Sequence, residues 1–218
     1  GLFKQDSLQK YSSQARYKRY NLTSNLTIRP TRSTTIKLGV SGFMAYRTYP
    51  GIGVATIFGD AFFGSPVNHP ALYSDGKVAD NYLDNRMKNP YAELTKSGYV
   101  DEWRSQLTSN LEVIQNLDFW LKGLSISGKF AFDTYNVTMM KRKKTPDTYM
   151  AIGRDSTGAL IEQLTNPGVG TEYLSYSLDK SGTRTLYNEF ALNYRNSFGK
   201  HDVSGMLLFN QSDELNTH

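Results

Sequence analysis

The stretch Tyr20-Asn-Leu-Thr-Ser-Asn-Leu-Thr-Ile28 decides the fold class. Its even positions read Tyr20, Leu22, Ser24, Leu26 and Ile28; its odd positions read Asn21, Thr23, Asn25 and Thr27. A period of two places alternate side chains on opposite faces of a β-strand, so one face is apolar and the other polar. After a break from Arg29 to Ser33 that contains Pro30, the alternation resumes. Ile36, Leu38, Val40, Gly42, Met44 and Tyr46 now stand against Thr35, Lys37, Gly39 and Ser41. The two runs predict a hairpin.

The same construction recurs twice further along. Trp103, Ser105, Leu107, Ser109, Leu111 and Val113 alternate with Arg104, Gln106, Thr108, Asn110 and Glu112, and the partner run sets Leu124, Ile126, Gly128, Phe130 and Phe132 against Ser125, Ser127, Lys129, Ala131 and Asp133. The last hairpin sets Phe190, Leu192, Tyr194 and Phe198 against Glu189, Ala191, Asn193 and Arg195, turns through Gly199 to His201, and returns on Val203, Gly205, Leu207 and Phe209. Met206 and Leu208 break the polar side of that return strand.

Short turns follow Ile28, Val113 and Phe198, whereas Arg47 to Glu102 and Asn136 to Thr185 are long connections. Connections of that length are uncommon in compact soluble domains. They are ordinary in outer-membrane barrels, which join their strands by short periplasmic turns and long outer loops. The apolar alternation also has the ~9 to 11 residues of a tilted membrane strand. Aromatic residues fall near the strand ends, as an interfacial girdle requires: Tyr20, Tyr46 and Trp103 toward the long loops, and Phe119, Trp120 and Phe198 toward the short turns.

The expected fold is therefore all-β: an antiparallel transmembrane β-barrel segment of about six strands in three hairpins, with two long extracellular loops. Bacterial barrels need about eight strands or more. Residues 1–218 are accordingly expected to be one piece of a larger barrel.

Composition agrees with this reading. The chain is only 39% hydrophobic yet 13% aromatic, with 20 Ser, 19 Thr and 15 Asn, which suits strands with one wet face better than a thick core. No run approaches the ~18 apolar residues of a spanning helix, and residues 1–20 lack the apolar centre of a signal peptide. The net charge of +5 is spread along the chain apart from Lys141, Arg142, Lys143 and Lys144, and no basic stripe interleaved with aromatics suggests nucleic acid. Without cysteine there is no disulfide, thiolate metal site or cysteine nucleophile.

Several stretches resemble a known family. Gly1-Leu-Phe-Lys4, Asn89-Pro-Tyr-Ala-Glu-Leu-Thr-Lys-Ser-Gly-Tyr99, Leu117-Asp-Phe-Trp-Leu-Lys-Gly-Leu-Ser125 and, most specifically, Phe198-Gly-Lys-His-Asp-Val-Ser-Gly-Met-Leu-Leu-Phe-Asn-Gln211 resemble the barrel of SusC/RagA-type TonB-linked outer-membrane transporters of Bacteroidetes. The family's plug domain, TonB box and carboxy-terminal strands have no counterpart in the sequence. The resemblance implies import of nutrient oligomers, glycan or peptide fragments, across the outer membrane. It also implies a SusD-like surface lipoprotein as a lid, and a TonB complex that acts through parts of the whole protein not present here.

No residue pattern suggests catalysis or a cofactor, and the chain is read as a non-enzyme. His69, His201 and His218 are scattered, and none belongs to a catalytic motif. Asp80, Asn81, Asp84 and Asn85 lack the spacing, central Gly and distal Glu of a calcium loop, so solvation or capping accounts for them. Asp75-Gly76, Asp155 to Gly158 and Asp179 to Gly182 read as hairpin turns, which predicts that the second long loop is itself built of hairpins carrying Tyr173, Tyr176 and Tyr187. Gly51-Ile-Gly53 and Gly168-Val-Gly170 read as flexible loop.

The basic cluster is either a solvated loop or a partner for lipopolysaccharide phosphates at the outer leaflet. In the first long loop Tyr49, Phe58, Phe62, Phe63 and Tyr73 either contact cargo or lid, or pack the loop on itself. A reading from a different class is a secreted, soluble all-β module that presents these aromatics to a glycan.

Overall fold

The computed structural model describes residues 14–64, 70–80, 88–165 and 167–217. The elements in chain order are β1 (Arg16–Ile28), β2 (Thr34–Pro50), α1 (Val54–Phe63), α2 (Pro90–Lys96), β3 (Gly98–Asn116), β4 (Leu124–Lys143), β5 (Tyr149–Arg154), β6 (Leu160–Leu164), β7 (Ser177–Phe198) and β8 (His201–Thr217). Six strands form one antiparallel sheet in the order β1-β2-β3-β4-β7-β8, and β5 pairs with β6 in a separate hairpin. The large sheet is open, with β1 and β8 at its edges. The three expected hairpins are all present.

Alternation sets the register. In the last hairpin Phe190 lies opposite Phe209 and Leu192 opposite Leu207, while Glu189 faces Asn210 one step away on the other side. The turn leaves Gly199 and Lys200 between the paired Phe198 and His201, and Gly199 takes the positive φ of 64° that a two-residue hairpin loop demands.

The strands are longer than the alternation predicts, 13 to 22 residues rather than nine to eleven. Strand pairing continues after the apolar alternation has ended, because backbone hydrogen bonds and polar cross-strand pairs need no apolar face. The long connections shrink accordingly to residues 51–97 and 144–176. The first of them is not simple loop, since it carries α1 and α2.

Two turn expectations hold and one fails. Gly76 donates to the Tyr73 carbonyl at 3.0 Å, and Gly158 to that of Asp155 at 3.0 Å, both with φ of +88°. Asp179 to Gly182 is no turn: it runs inside β7, where Gly182 is buried and faces Thr217, and Asp179 forms an ion pair with Lys141. The Lys141 contact to Asp179 and the pairing of Gly182 with Thr217 hold this stretch extended against the local turn signal. Tyr187 lies on β7 as expected, but Tyr173 and Tyr176 precede that strand rather than lying on one.

The chain divides into two compact units. The sheet unit comprises Lys18–Ala45, Trp103–Thr138 and Lys180–His218. Its apolar face is bare: Leu22, Leu38, Leu107, Leu111, Phe130, Phe190 and Leu207 are all exposed, and its buried hydrophobic residues are only Ala45, Leu124 and Ala191 among those described. A water-soluble antiparallel sheet normally covers its apolar face with a core.

The loop unit, containing Tyr46–Glu102 and Met139–Asp179, does have a small core of Ile57, Val78, Ala79, Ala92 and Val100. Asn89 organises it. Its side-chain Oδ1 caps α2 by accepting from the amides of Tyr91 and Ala92, and its side-chain NH2 donates to the carbonyls of Ala79 at 2.7 Å and Ala71 at 3.0 Å. Pro90 at the first helical position has no amide hydrogen to satisfy there. Gly51, read as flexible from sequence, is in fact buried and held, with its amide on the Gly98 carbonyl at 3.1 Å. At Gly170 a Cβ would lie 1.8 Å from the Asp147 carboxylate, so the Asp147 side chain occupies the space beside it.

Candidate functional site

The polar face of the sheet unit carries a row of charges of alternating sign. Lys37 on β2 donates to Glu112 on β3 at 3.0 Å, and Lys129 on β4 donates to Glu189 on β7 at 2.9 Å. The Tyr187 hydroxyl closes the row on Glu189 at 2.5 Å. Partly exposed pairs of this kind contribute about 0 to 1 kcal/mol each, so their effect is to neutralise a wettable wall rather than to hold the sheet together. Beside them Gly39 makes room for Asn110, and a concavity of about 430 Å³ lies over Asn25, Lys37, Asn110, Glu112, Lys129 and Tyr187. Nearer the first strand, Arg19 stacks 3.9 Å over Phe43.

On the opposite face the one mid-strand side-chain hydrogen bond among the described residues is local, from the Ser109 hydroxyl to the Phe132 carbonyl at 3.2 Å. The limits of that face are marked by hydrogen-bonded pairs between β2 and β3. In the sheet unit the Thr34 hydroxyl donates to Gln115 at 2.6 Å, and in the loop unit the Thr48 hydroxyl donates to Asp101 at 2.7 Å. Both pairs fall on the apolar parity of their strands, since Thr34 and Thr48 alternate with Ile36 to Tyr46, and Asp101 and Gln115 with Trp103 to Val113. Sequence reading found the apolar run but not the polar pairs that end it.

All six aromatics expected at an interface are exposed. Tyr20, Tyr46 and Trp103 lie toward the long connections along their strands. Phe198 ends β7, and Phe119 and Trp120 occupy the β3–β4 turn, where Trp120 is 78% exposed. Asp118 shapes that turn by accepting from the Gly123 amide at 2.6 Å, a bond that holds its carboxyl below the usual range.

In the loop unit a clamp joins the ends of β2 and β3. Arg47 donates to Glu102 at 2.6 Å and stacks on Tyr49, whose hydroxyl also reaches Glu102 at 3.2 Å. The Glu102 side chain is 1% exposed, and both donors help to offset its burial. Tyr49 therefore serves the clamp. Tyr73 is similarly occupied, accepting from the Ala151 amide on β5 at 3.0 Å.

The other three aromatic candidates have a different setting. On α1, Ile57 and Asp60 are buried, while Val54, Phe58 and Phe62 recur every fourth residue on the exposed side, joined by Phe63. Phe62 is 82% and Phe63 77% exposed. The helix thus turns its aromatic edge outward, the reverse of the usual surface helix.

A cavity of about 320 Å³ opens in the same unit, lined among others by Asn89, Glu93, Thr145 and Val169, with Lys88 and Lys144 at its wall. Asp80 on that wall is fixed by the hydroxyls of Thr148 at 3.0 Å and Thr165 at 2.5 Å. The basic cluster is not a free patch. Lys141 pairs with Asp179, and Arg142 stacks 4.4 Å from the Tyr176 ring.

Among the described residues no cluster of three His, Asp or Glu is arranged to hold a metal ion. His201 begins β8 beside the turn, while His69, His218, Asn81, Asp84 and Asn85 lie outside the described residues. No protein-family model matches the chain, and no curated protein matches it.

Proposed function

We propose that this chain is part of the β-barrel of a TonB-linked outer-membrane importer of the SusC/RagA type. Its bare apolar face lies against lipid, and its charged face lines the lumen. The observation that carries this reading is the bounded apolar belt. Along β2 it runs from Ile36 to Tyr46, between the polar positions Thr34 and Thr48. Ten residue steps at ~3.3 Å span about 33 Å of strand, and a tilt of ~40° brings that to roughly 25 Å, the height of the lipid-facing band of an outer-membrane barrel. Exposed aromatics at both ends of the strands fit the two interfaces.

On this reading the cargo is a nutrient oligomer, glycan or peptide, and a SusD-like lipoprotein covers the outer mouth. TonB acts through other parts of the protein, and lipopolysaccharide surrounds the loops. No catalysis or cofactor is part of the proposal. The exposed aromatic edge of α1 is the surface most suited to meet cargo or lid, because Tyr49 and Tyr73 are already engaged within the loop unit.

Fractionation tests the reading against a secreted soluble module. The full-length protein should sediment with the outer membrane and require detergent for extraction, and a knockout should lose growth on one class of oligomer. Recovery in the soluble secreted fraction without detergent would favour the module.

A further inference from the structure

Helix α1 is held to the loop unit by two buried side chains, Ile57 and Asp60. Asp60 meets a second carboxyl, that of Glu93 on α2. Each residue is 8% exposed where α1 packs on α2, and the Glu93 carboxyl lies within hydrogen-bonding reach of Asp60. No Lys, Arg or His forms an ion pair with either among the described residues.

A carboxylate has no hydrogen to donate, so a bond between two carboxyls requires that one of them keep its proton. Glu93 Oε2 is buried and receives no hydrogen bond, which favours the protonated over the ionised carboxyl. Burial, and next the Asp60 contact, push the Glu93 carboxyl up to about 7, against a smaller opposing effect of Lys88. The other charged groups near the pair are Asp80, already bound by two threonine hydroxyls, and Lys144 across the cavity that Glu93 lines.

We propose that Asp60 and Glu93 form a proton-sharing latch that docks α1 on α2 and so fixes the presentation of Phe58, Phe62 and Phe63. With the proton in place the pair is a hydrogen bond. Without it, two buried like charges oppose each other and the helix is released.

The direction in pH follows from linkage. A docked carboxyl that titrates near 7 retains a proton that a free one loses near 4.5, so docking weakens as pH rises between those values and stays weak above. The docking constant falls by at most roughly 300-fold, the equivalent of about two and a half pH units.

Amide hydrogen exchange on the full-length protein at pH 5.5 and 8.5, corrected for intrinsic rates, reads the latch directly. The reporters are the Ile57 amide, bonded to the Gly53 carbonyl, and the Gly64 amide, bonded to that of Asp60. Their protection should fall at least ~10-fold at the higher pH while amides of β7 and β8 do not change. In Glu93→Gln the amide donates to Asp60 at every pH, so protection should be high and the same at both values. Asp60→Asn should behave alike and decides the matter if Glu93→Gln does not fold. Equal protection of wild-type α1 at both pH values would overturn the latch. So would wild-type pH dependence in the variants, or failure of both to dock α1 at pH 5.5. The latch lies within the loop unit, so this outcome is independent of whether the sheet faces lipid.

Discussion

The Thr48 hydroxyl donates to the Asp101 carboxylate at 2.7 Å, one alternation beyond Tyr46 on β2 and Trp103 on β3. On β2 that parity is apolar from Ile36 to Tyr46, and the pair interrupts it although the strands continue to Pro50 and back to Gly98. The change in chemistry therefore does not coincide with the end of the strand.

If the apolar face meets lipid, arginine in mid-belt is penalised by about 2 to 4 kcal/mol, and on the polar face it is not. Leu38→Arg and Leu107→Arg should lower the amount of folded, heat-modifiable protein in the outer membrane. Ser41→Arg and Thr108→Arg should leave it closer to wild type. Equal tolerance of all four would refute the assignment of faces.

The clamp at Glu102 yields a stability prediction. Arg47→Ala removes the charged donor from a buried carboxylate and should destabilise the loop unit by about 1 to 3 kcal/mol. Adding Glu102→Gln removes the stranded charge, so the double variant should recover part of the loss in denaturant melts followed by limited proteolysis.

Two glycines with nearly the same φ should respond differently. Gly98 has φ +90°, and a Cβ there would lie 2.0 Å from the Arg142 carbonyl oxygen; Gly76 has φ +88° with open space around it. Gly98→Ala should cost about 3 kcal/mol or more, through clash added to backbone strain. Gly76→Ala should cost about 1 kcal/mol, through strain alone. Thermal melts of the two variants check the difference.

The α1 edge is tested by substitution rather than by deletion, because removing Gly51 to Tyr73 would also remove Ile57 and Asp60 from the packed unit. Phe58→Ala combined with Phe62→Ala and Phe63→Ala should preserve surface abundance. Oligomer-dependent growth or lipoprotein co-purification should drop. Unchanged growth and co-purification at normal abundance would remove α1 from the proposed site.

The six long strands were legible because a half-buried strand writes its two faces into alternate residues, and Leu22 to Ile28 does so almost without error. Their full length was not legible. Arg47 to Pro50 and Gly98 to Glu102 pair through polar side chains and backbone, which leave no apolar signature. Asp179 to Gly182 carries the same turn chemistry as Asp155 to Gly158, and only the partners Lys141 and Thr217 reveal which of the two is straight. Helix α2 could have been found, since Asn89-Pro90 followed by Glu93 is a helix-start signal. Helix α1 has no side-chain cap, and its apolar residues lie mostly on the exposed side, so its start was poorly marked. The Asp60–Glu93 contact joins residues on different helices and had no local signal at all.

The central claim is that one face of the sheet meets lipid, and adjacent residues on β3 test it most directly. The chain has no cysteine, so single Leu107→Cys and Thr108→Cys variants of the full-length protein can each carry one spin label in a bilayer. The account predicts that the label at 107 is relaxed by oxygen and shielded from a water-soluble nickel chelate, and that the label at 108 shows the reverse. Equal access of the nickel chelate to both positions would contradict it.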